Sequence, residues 1–258
     1  MHPFLFDLTI GGFHFKPPTY GILLALAFTV AYIYSLRRAV KLGEDPKHIE
    51  NCFLVVVICT VVGARLFHVI FEEPKYYFTH PLKIFAVWEG GYTLYGALLM
   101  SIFGIFIYSR WQKISFLQIG DIAAPAAALG IAIGRMGCFF AGCCWGKPAN
   151  LPWAVVFNHP LAFTNLKHIP IHPTQLYEAL TALMLGIYLN SKFKNRKFKG
   201  QILSHGLIGY TVIRFFIEFF RGDEYRGFVF NGLLSYSQFI SLIILPFSIL
   251  LLIVCRSK

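Results

Sequence analysis

Along this chain apolar residues gather in long, nearly uninterrupted runs separated by short polar connections. The runs lie near 19–39, 51–71, 92–109, 119–139, 174–190, 202–220 and 236–254. A helix needs about 20 apolar residues to cross the hydrocarbon core of a bilayer. The pattern therefore predicts an all-α integral membrane protein of about seven transmembrane helices, with residues 1–258 forming a single polytopic domain. The fourth run is rich in Ala and Gly over Ala123 to Gly130, which lets neighbouring backbones approach closely and predicts a central, protein-surrounded helix. Asp45-Pro46 reads as an N-cap followed by Pro in the first turn, opening the second span. The longest connection, 141–173, carries Pro148, Pro152, Pro160, Pro170 and Pro173 and is expected to form a small outer-side loop region over a site.

Composition agrees with that reading: 57% of residues are apolar, 14% are charged and the mean hydropathy is +0.62, whereas a soluble domain carries about a quarter charged residues. Met1 to Pro18 lacks a basic leader, so the first run is expected to stay in the membrane rather than act as a cleaved signal. The net charge of +11 raises the question of nucleic acid, but the basic residues sit in short loops and no contiguous basic face or binding module is present. They are denser in the loops after the first, third and fifth runs and in the C-terminal tail. The positive-inside rule then predicts an outer N-terminus and a cytoplasmic C-terminus.

Ionisable groups inside apolar spans are costly and mark partners, water or ligand. Arg65, Arg135 and Arg214 fall within spans, and Tyr20, Tyr95, His172, Gln175, Tyr177 and Glu178 open spans from the outer side, so all share one expected depth. Tyr210, Arg214, Glu218 and Arg221 recur at i, i+4, i+8 and i+11, one face of a helix. Two readings are open. The set is either a structural ion pair between helices or an anion site in which a lipid phosphate balances the arginine excess, a task suited to planar, permanently charged guanidinium groups. Cys52, Cys59 and Cys255 lie in apolar runs and read as small buried hydrophobes. Asp121, at the start of the fourth span, reads as a structural carboxylate at a helix N-terminus.

Seven segments, in order, make the chain resemble the bacterial phosphatidylglycerol–prolipoprotein diacylglyceryl transferase family. They are Gly63-Ala64-Arg65-Leu66; Val87-Trp88-Glu89-Gly90-Gly91 with Tyr95-Gly96; Asp121-Ile122-Ala123-Ala124-Pro125; Gly134-Arg135-Met136-Gly137-Cys138-Phe139; Trp145-Gly146; His172-Pro173-Thr174-Gln175-Leu176-Tyr177-Glu178; and Arg214-Phe215-Phe216-Ile217-Glu218-Phe219-Phe220-Arg221. The resemblance implies an enzyme of the bacterial cytoplasmic (inner) membrane with its active site toward the outer leaflet. Its partners would be phosphatidylglycerol, prolipoprotein signal peptides bearing a lipobox cysteine, and membrane lipids, with no nucleic acid and no cofactor. It would move the diacylglyceryl group onto the lipobox thiol and release glycerol phosphate. By motif, Arg135 and Arg214 would act on the headgroup and leaving group with Tyr95 as the third catalytic candidate, while Tyr20, Arg65, Tyr210, Glu218, Arg221, His172 and Glu178 would complete the phosphatidylglycerol site.

The sequence also departs from the family pattern. Tyr95 stands where many members carry a histidine base, and a phenol with an ordinary pKa of about 10 is a poor base at neutral pH. The common Gly-Asn-Phe-Ile-Asn-Gly-Glu string becomes Gly137-Cys138-Phe139-Phe140-Ala141-Gly142-Cys143, exchanging two amides and a carboxylate for apolar and thiol groups. Cys138, Cys143 and Cys144 read as packing, as a structural disulfide at an oxidising face, or as metal or acyl-carrying groups. The spacing C-x4-C-C is no standard zinc signature, and no metal is expected. A divergent non-catalytic or altered-substrate relative, or an anion or lipid transporter, are the competing functional readings.

Overall fold

The computed structural model describes residues 4, 5, 8–10, 13–86, 88, 90–223 and 226–257, with the backbone alone at 8–10 and 13–15. Val87 and Glu89 of the second resembling segment lie outside the described residues. A hairpin of β1 (Leu8–Ile10) and β2 (Phe13–Phe15) precedes α1 (Thr19–Lys41). Helix α2 (Pro46–Phe67) begins as Asp45 predicts: its side chain accepts the Lys47 N–H at 2.9 Å, and Pro46 fills the first turn. It starts before the apolar run because its opening turn carries Lys47, His48 and Glu50. The helix runs into a π turn at His68–Glu72, followed by α3 (Pro74–Thr79), a 3-10 turn at Pro81–Phe85, and α4 (Leu94–Trp111). Helix α5 (Phe116–Ala141) leads to a hairpin of β3 (Val155–Val156) and β4 (Pro170–Ile171) inside the long connection. Helices α6 (Thr174–Phe193) and α7 (Gln201–Ile217) follow, α7 tightening into a 3-10 turn at Glu218–Phe220. A last hairpin, β5 (Phe228–Val229) with β6 (Leu234–Ser235), opens α8 (Tyr236–Arg256) through a capping box between Ser235 and Gln238.

Among the described residues six helices are long and apolar enough to cross a membrane: α1, α2 with its π turn, α4, α5, α7 with its 3-10 turn, and α8. The chain is a multi-pass helical membrane protein. Helix α6 occupies the expected fifth run and has 20 residues, but it is not one of the six. Thr174, Gln175, Glu178, Asn190, Ser191 and Lys192 dilute its apolar character at both ends.

The chain divides into two compact units, one of residues 36–119 and one of 1–35 with 120–258. In the first, α2 and α4 pair through facing glycines: a Cβ on Gly63 would collide with the Gly96 carbonyl, and the reverse holds as well. That close approach is how small residues join helices in lipid. Thr60 and Ser101 share a hydrogen bond across the pair at 3.2 Å, and Cys59 sits against Gly104. Cys52 is buried with Tyr108 and Ile119. Both cysteines are thus packing groups, as their apolar setting suggests.

In the second unit, α5 is the most buried of the six long apolar helices. Its small residues take α6 and α7 at short range, with Gly206 against Ala124 and Gly186 against Leu129. Asp121 is fully buried and structural, but it serves another helix than its own. Its carboxylate accepts the N–H groups of Gly200 and Leu203, each at 2.8 Å, and pairs with Arg196 at 3.2 Å, capping the start of α7. The connection after α5 is folded, with Trp145, Phe157, Ala162 and Ile171 forming its own small core.

Candidate active site

The long connection is pinned to the end of α7 by two backbone hydrogen bonds, Lys147 N–H to the Phe220 carbonyl at 2.8 Å and Gly222 N–H to the Trp145 carbonyl at 3.0 Å. This stitch brings the end of α5, the start of α6 and the end of α7 to one place. Arg135, Glu178 and Arg214 meet there although 79 positions separate the first from the last in sequence.

Glu178 is the first hub. It is 2% exposed, and its carboxylate pairs with Arg135 at 3.0 Å and Arg214 at 3.5 Å while accepting the Tyr210 hydroxyl at 2.8 Å. Glu218 is the second. It faces Arg214 at 2.5 Å, Arg226 at 3.5 Å and Arg221 at 3.9 Å. The Arg214 approach lies off the hydrogen-bond direction, so both Glu218 oxygens are buried in ion pairs without a hydrogen bond among the described residues. Arg221 closes the set by gripping Asp223 through both Nε and Nη2. Arg214 also donates to Ser237 at the start of α8, at 3.0 Å. Among the described residues four guanidinium groups thus face three carboxylates, one positive charge in excess. Burial opposes the Arg221 cation, but the Asp223 bond, with Cys144 and Glu218 nearby, holds it above its ordinary pKa. At Arg226 burial outweighs the attraction of Glu218 and Asp223 and lowers it. Both stay charged at neutral pH.

Beside this network lies the thiol cluster. The Sγ atoms of Cys138, Cys143 and Cys144 are all within 4.8 Å of one another, each side chain half-buried and unbonded to another cysteine. Helix α5 ends in a Schellman motif: Cys143 N–H reaches the Cys138 carbonyl at 3.2 Å, Gly142 N–H reaches the Phe139 carbonyl at 3.2 Å, and Gly142 takes φ +74°. That motif places the side chains of Cys138 and Cys143 against each other. Cys144 follows with φ +57°, a conformation uncommon for a residue with a Cβ, which turns its thiol onto the same pair. Arg135 Nη1 stands 4.0 Å from Cys138 Sγ. Sulfur hydrogen bonds from Cys138 and Cys143, and then the Arg135 and Arg221 guanidiniums, hold the Cys144 thiol far below its ordinary value. The same sulfur contacts push Cys143 up.

The remaining expected residues divide between the two units. Tyr20 packs beside Gly137, whose Cβ would stand 3.2 Å from the tyrosine ring. His172 Nδ1 hydrogen-bonds the Tyr177 hydroxyl at 3.2 Å, and its ring lies 5.2 Å from that of Phe220. Arg65 and Tyr95 belong to the other unit. Arg65 is buried and donates to the carbonyls of Lys83 at 2.6 Å, Ile84 at 3.1 Å, Gly91 at 3.4 Å and Gly90. Gly90 and Gly91, both at positive φ, turn their carbonyls onto it. Tyr95 is exposed at the start of α4. Sequence reasoning missed Asp223 and Ser237 and gave Arg226 only an orienting loop charge. Asp223 and Arg226 follow α7 past a 3-10 turn, and Ser237 past a hairpin as well, where the 3.6-residue period no longer applies.

These features define a multi-pass helical membrane protein that gathers Arg135, Glu178, Arg214 and Glu218 into one guanidinium–carboxylate centre. Comparison with known proteins is specific: the family model described as prolipoprotein diacylglyceryl transferase matches residues 5–254. A phosphatidylglycerol–prolipoprotein diacylglyceryl transferase of Bordetella avium is 36% identical over 228 residues, 86% of this chain and 84% of the relative. One from Clostridium tetani is 36% identical over 243 residues, covering 94% and 93%. One from Methylococcus capsulatus is 33% identical over 240 residues, covering 90% and 88%. The chain belongs to the prolipoprotein diacylglyceryl transferase family.

Proposed function

We propose that the guanidinium–carboxylate centre is where this transferase carries the diacylglyceryl group of phosphatidylglycerol to the lipobox thiol of a prolipoprotein. The chain is an enzyme of lipoprotein biosynthesis, as its family membership states. The observation that carries the site assignment is the single excess positive charge held on preorganised guanidinium groups around Glu178 and Glu218. Sulfur attacks the glyceryl carbon, the carbon–oxygen bond to phosphate breaks, and charge grows on the departing glycerol phosphate. Fixed cations in a water-poor site stabilise that charge most where it develops. Arg135 and Arg214 act on the phosphate. Glu178, Tyr210 and Glu218 orient them, and Arg221 is held by Asp223 at the rim. An apolar cavity of about 200 Å³ between α5, α6 and α7 ends at Tyr210 and is lined by Ala124, Ala127, Ile131, Leu185, Leu203 and Leu207, a lining suited to an acyl chain beneath the headgroup. Tyr20 and His172, of the same unit, complete the proposed phosphatidylglycerol site.

The finer topology belongs to the same reading. Helix α6 crosses as a seventh span because its polar first turn faces protein, with Thr174, Gln175 and Glu178 all buried. The basic loops set the N-terminus outside and the C-terminus in the cytoplasm. The centre then lies toward the outer leaflet of the bacterial cytoplasmic membrane, where prolipoproteins emerge with their lipobox cysteine, within one polytopic domain. The test is complementation of cells depleted of their own transferase. Rescue by the chain, lost with Arg135→Ala or Arg214→Ala at equal membrane levels, is expected. Normal lipidation by both variants would remove those residues from the reaction.

A further inference from the structure

We propose that Cys138, Cys143 and Cys144 form a three-thiolate site for a zinc-type divalent cation, whose open fourth position takes and deprotonates the lipobox thiol of the substrate. The inference rests on the diacylglyceryl-transfer reading and deepens it by naming what activates the nucleophile.

Three observations converge. First, the thiols are gathered from a span of seven residues to within 4.8 Å of one another. Ligands at about 2.3 Å around a tetrahedral zinc lie about 3.8 Å apart, so a small rotation of the side chains closes the site. Second, the local fold holds them there. The Schellman motif accounts for the contact of Cys138 with Cys143, but not for Cys144, which joins them from a left-handed backbone conformation. The carbonyls of Cys143 and Cys144 are tied to the first turn of α6, by the Gln175 amide at 2.7 Å and the Thr174 hydroxyl at 2.8 Å. Such outer contacts orient metal ligands. Third, among the described residues no histidine or carboxylate joins the group as a fourth ligand. Three protein ligands with one vacancy is the pattern of a catalytic site, and half-buried thiols leave the vacancy reachable.

Charge and chemistry agree. Three thiolates and a divalent cation carry one negative charge beside the Arg135 guanidinium, whereas the bare thiolates would carry three. Arg135, 4.0 Å from Cys138, joins the metal site to the proposed phosphate site, so both reactants meet within one side chain's length. A thiol bound to such a cation loses its proton, which passes to water. The bound sulfur then forms its bond to the glyceryl carbon as the carbon–oxygen bond breaks, and that electron pair leaves on glycerol phosphate. The metal keeps its oxidation state throughout.

The experiment uses the full chain, purified in detergent under reducing conditions without chelator. Retained zinc is measured by mass spectrometry, and Co²⁺ replaces it as a spectroscopic probe. About one zinc per chain and a thiolate-to-cobalt absorption band are expected, with affinity falling more than about 100-fold in Cys138→Ser, Cys143→Ser and Cys144→Ser. A synthetic lipobox peptide should shift the cobalt spectrum, and the same peptide with serine for cysteine should leave it unchanged. Reduced wild-type protein that retains no metal, or a disulfide among the three cysteines in its place, overturns the site. A cobalt spectrum that ignores the cysteine peptide overturns the open position. These readouts need no turnover, so they fail separately from the transferase reading, which fails if the metal-loaded protein releases no glycerol phosphate from phosphatidylglycerol vesicles in the presence of the peptide.

Discussion

Arg65 is buried and Arg214 half-buried, both within long apolar helices, yet their surroundings treat them in opposite ways. Arg65 spends its donors on backbone carbonyls of one loop, at Lys83, Ile84, Gly90 and Gly91. Arg214 spends its donors on side chains from three elements, Glu178, Glu218 and Ser237. Carbonyls are part of the chain and cannot leave without unfolding the loop. Carboxylates shared among several guanidiniums can re-pair when an anion arrives, because two oxygens of a phosphate accept the same paired N–H donors. Arg65 is therefore a staple of its unit, and Arg214 a member of an exchangeable network.

The sharpest break of that comparison is Arg214→Ala or Arg135→Ala. Each should lower diacylglyceryl transfer about 1,000-fold, about 4 kcal/mol of lost charge stabilisation, with little change in thermal stability of the detergent-solubilised protein. Equal losses of stability and activity would make the network structural only. Arg65→Ala should do the reverse. It leaves the carbonyls of Lys83, Ile84, Gly90 and Gly91 without their guanidinium donor and should cost about 3 kcal/mol of stability, read as a lower unfolding temperature, while turnover per folded molecule stays near wild type. A selective loss of turnover would return Arg65 to the lipid headgroup. Glu178→Gln keeps the shape of the first hub but removes its charge. Transfer should fall about 10- to 100-fold through misplacement of Arg135 and Arg214, measured as kcat at saturating lipid, and an unchanged kcat would show that Glu178 does not orient them. Smallest of all, Asp45→Ala removes only the cap of α2 and should cost about 1 kcal/mol. The checking measurement is hydrogen exchange in the first turn of that helix, which should rise while transfer is unaltered.

Much of this was legible in the chain itself. Tyr210 and Arg214 share a face of α7 and the Arg214–Glu218 pair forms, but the expected stripe stops there, because Arg221 lies past a 3-10 turn in extended backbone. The Asp45 cap and the interior position of α5 were readable for the same reason: each follows from local geometry or from the size of neighbouring residues. Two things were less legible. Helix α6 satisfies the length of a span but not its apolarity, because its first turn belongs to the charge centre. Asp121 was readable as structural but not as the cap of α7, because the helix it serves starts 80 positions later. The Cys138–Gly142–Cys143 part of the thiol cluster carries a local signal, a glycine four residues after one cysteine and just before the next, which is the Schellman spacing.

By itself the sequence determined that this is a helical membrane protein, where most of its helices run, and which arginines are too costly in lipid to lack a purpose. Those are consequences of hydrocarbon thickness and of the price of burying charge, which act residue by residue. Only the tertiary structure decided who pairs with whom. Arg135 could not be matched to Glu178, nor Arg226 to Glu218, nor Cys144 to Cys138, until the end of α5, the start of α6 and the end of α7 were stitched together through Lys147 and Gly222. Pairing depends on distances of a few ångströms, and those arise from long-range packing rather than from any spacing along the chain.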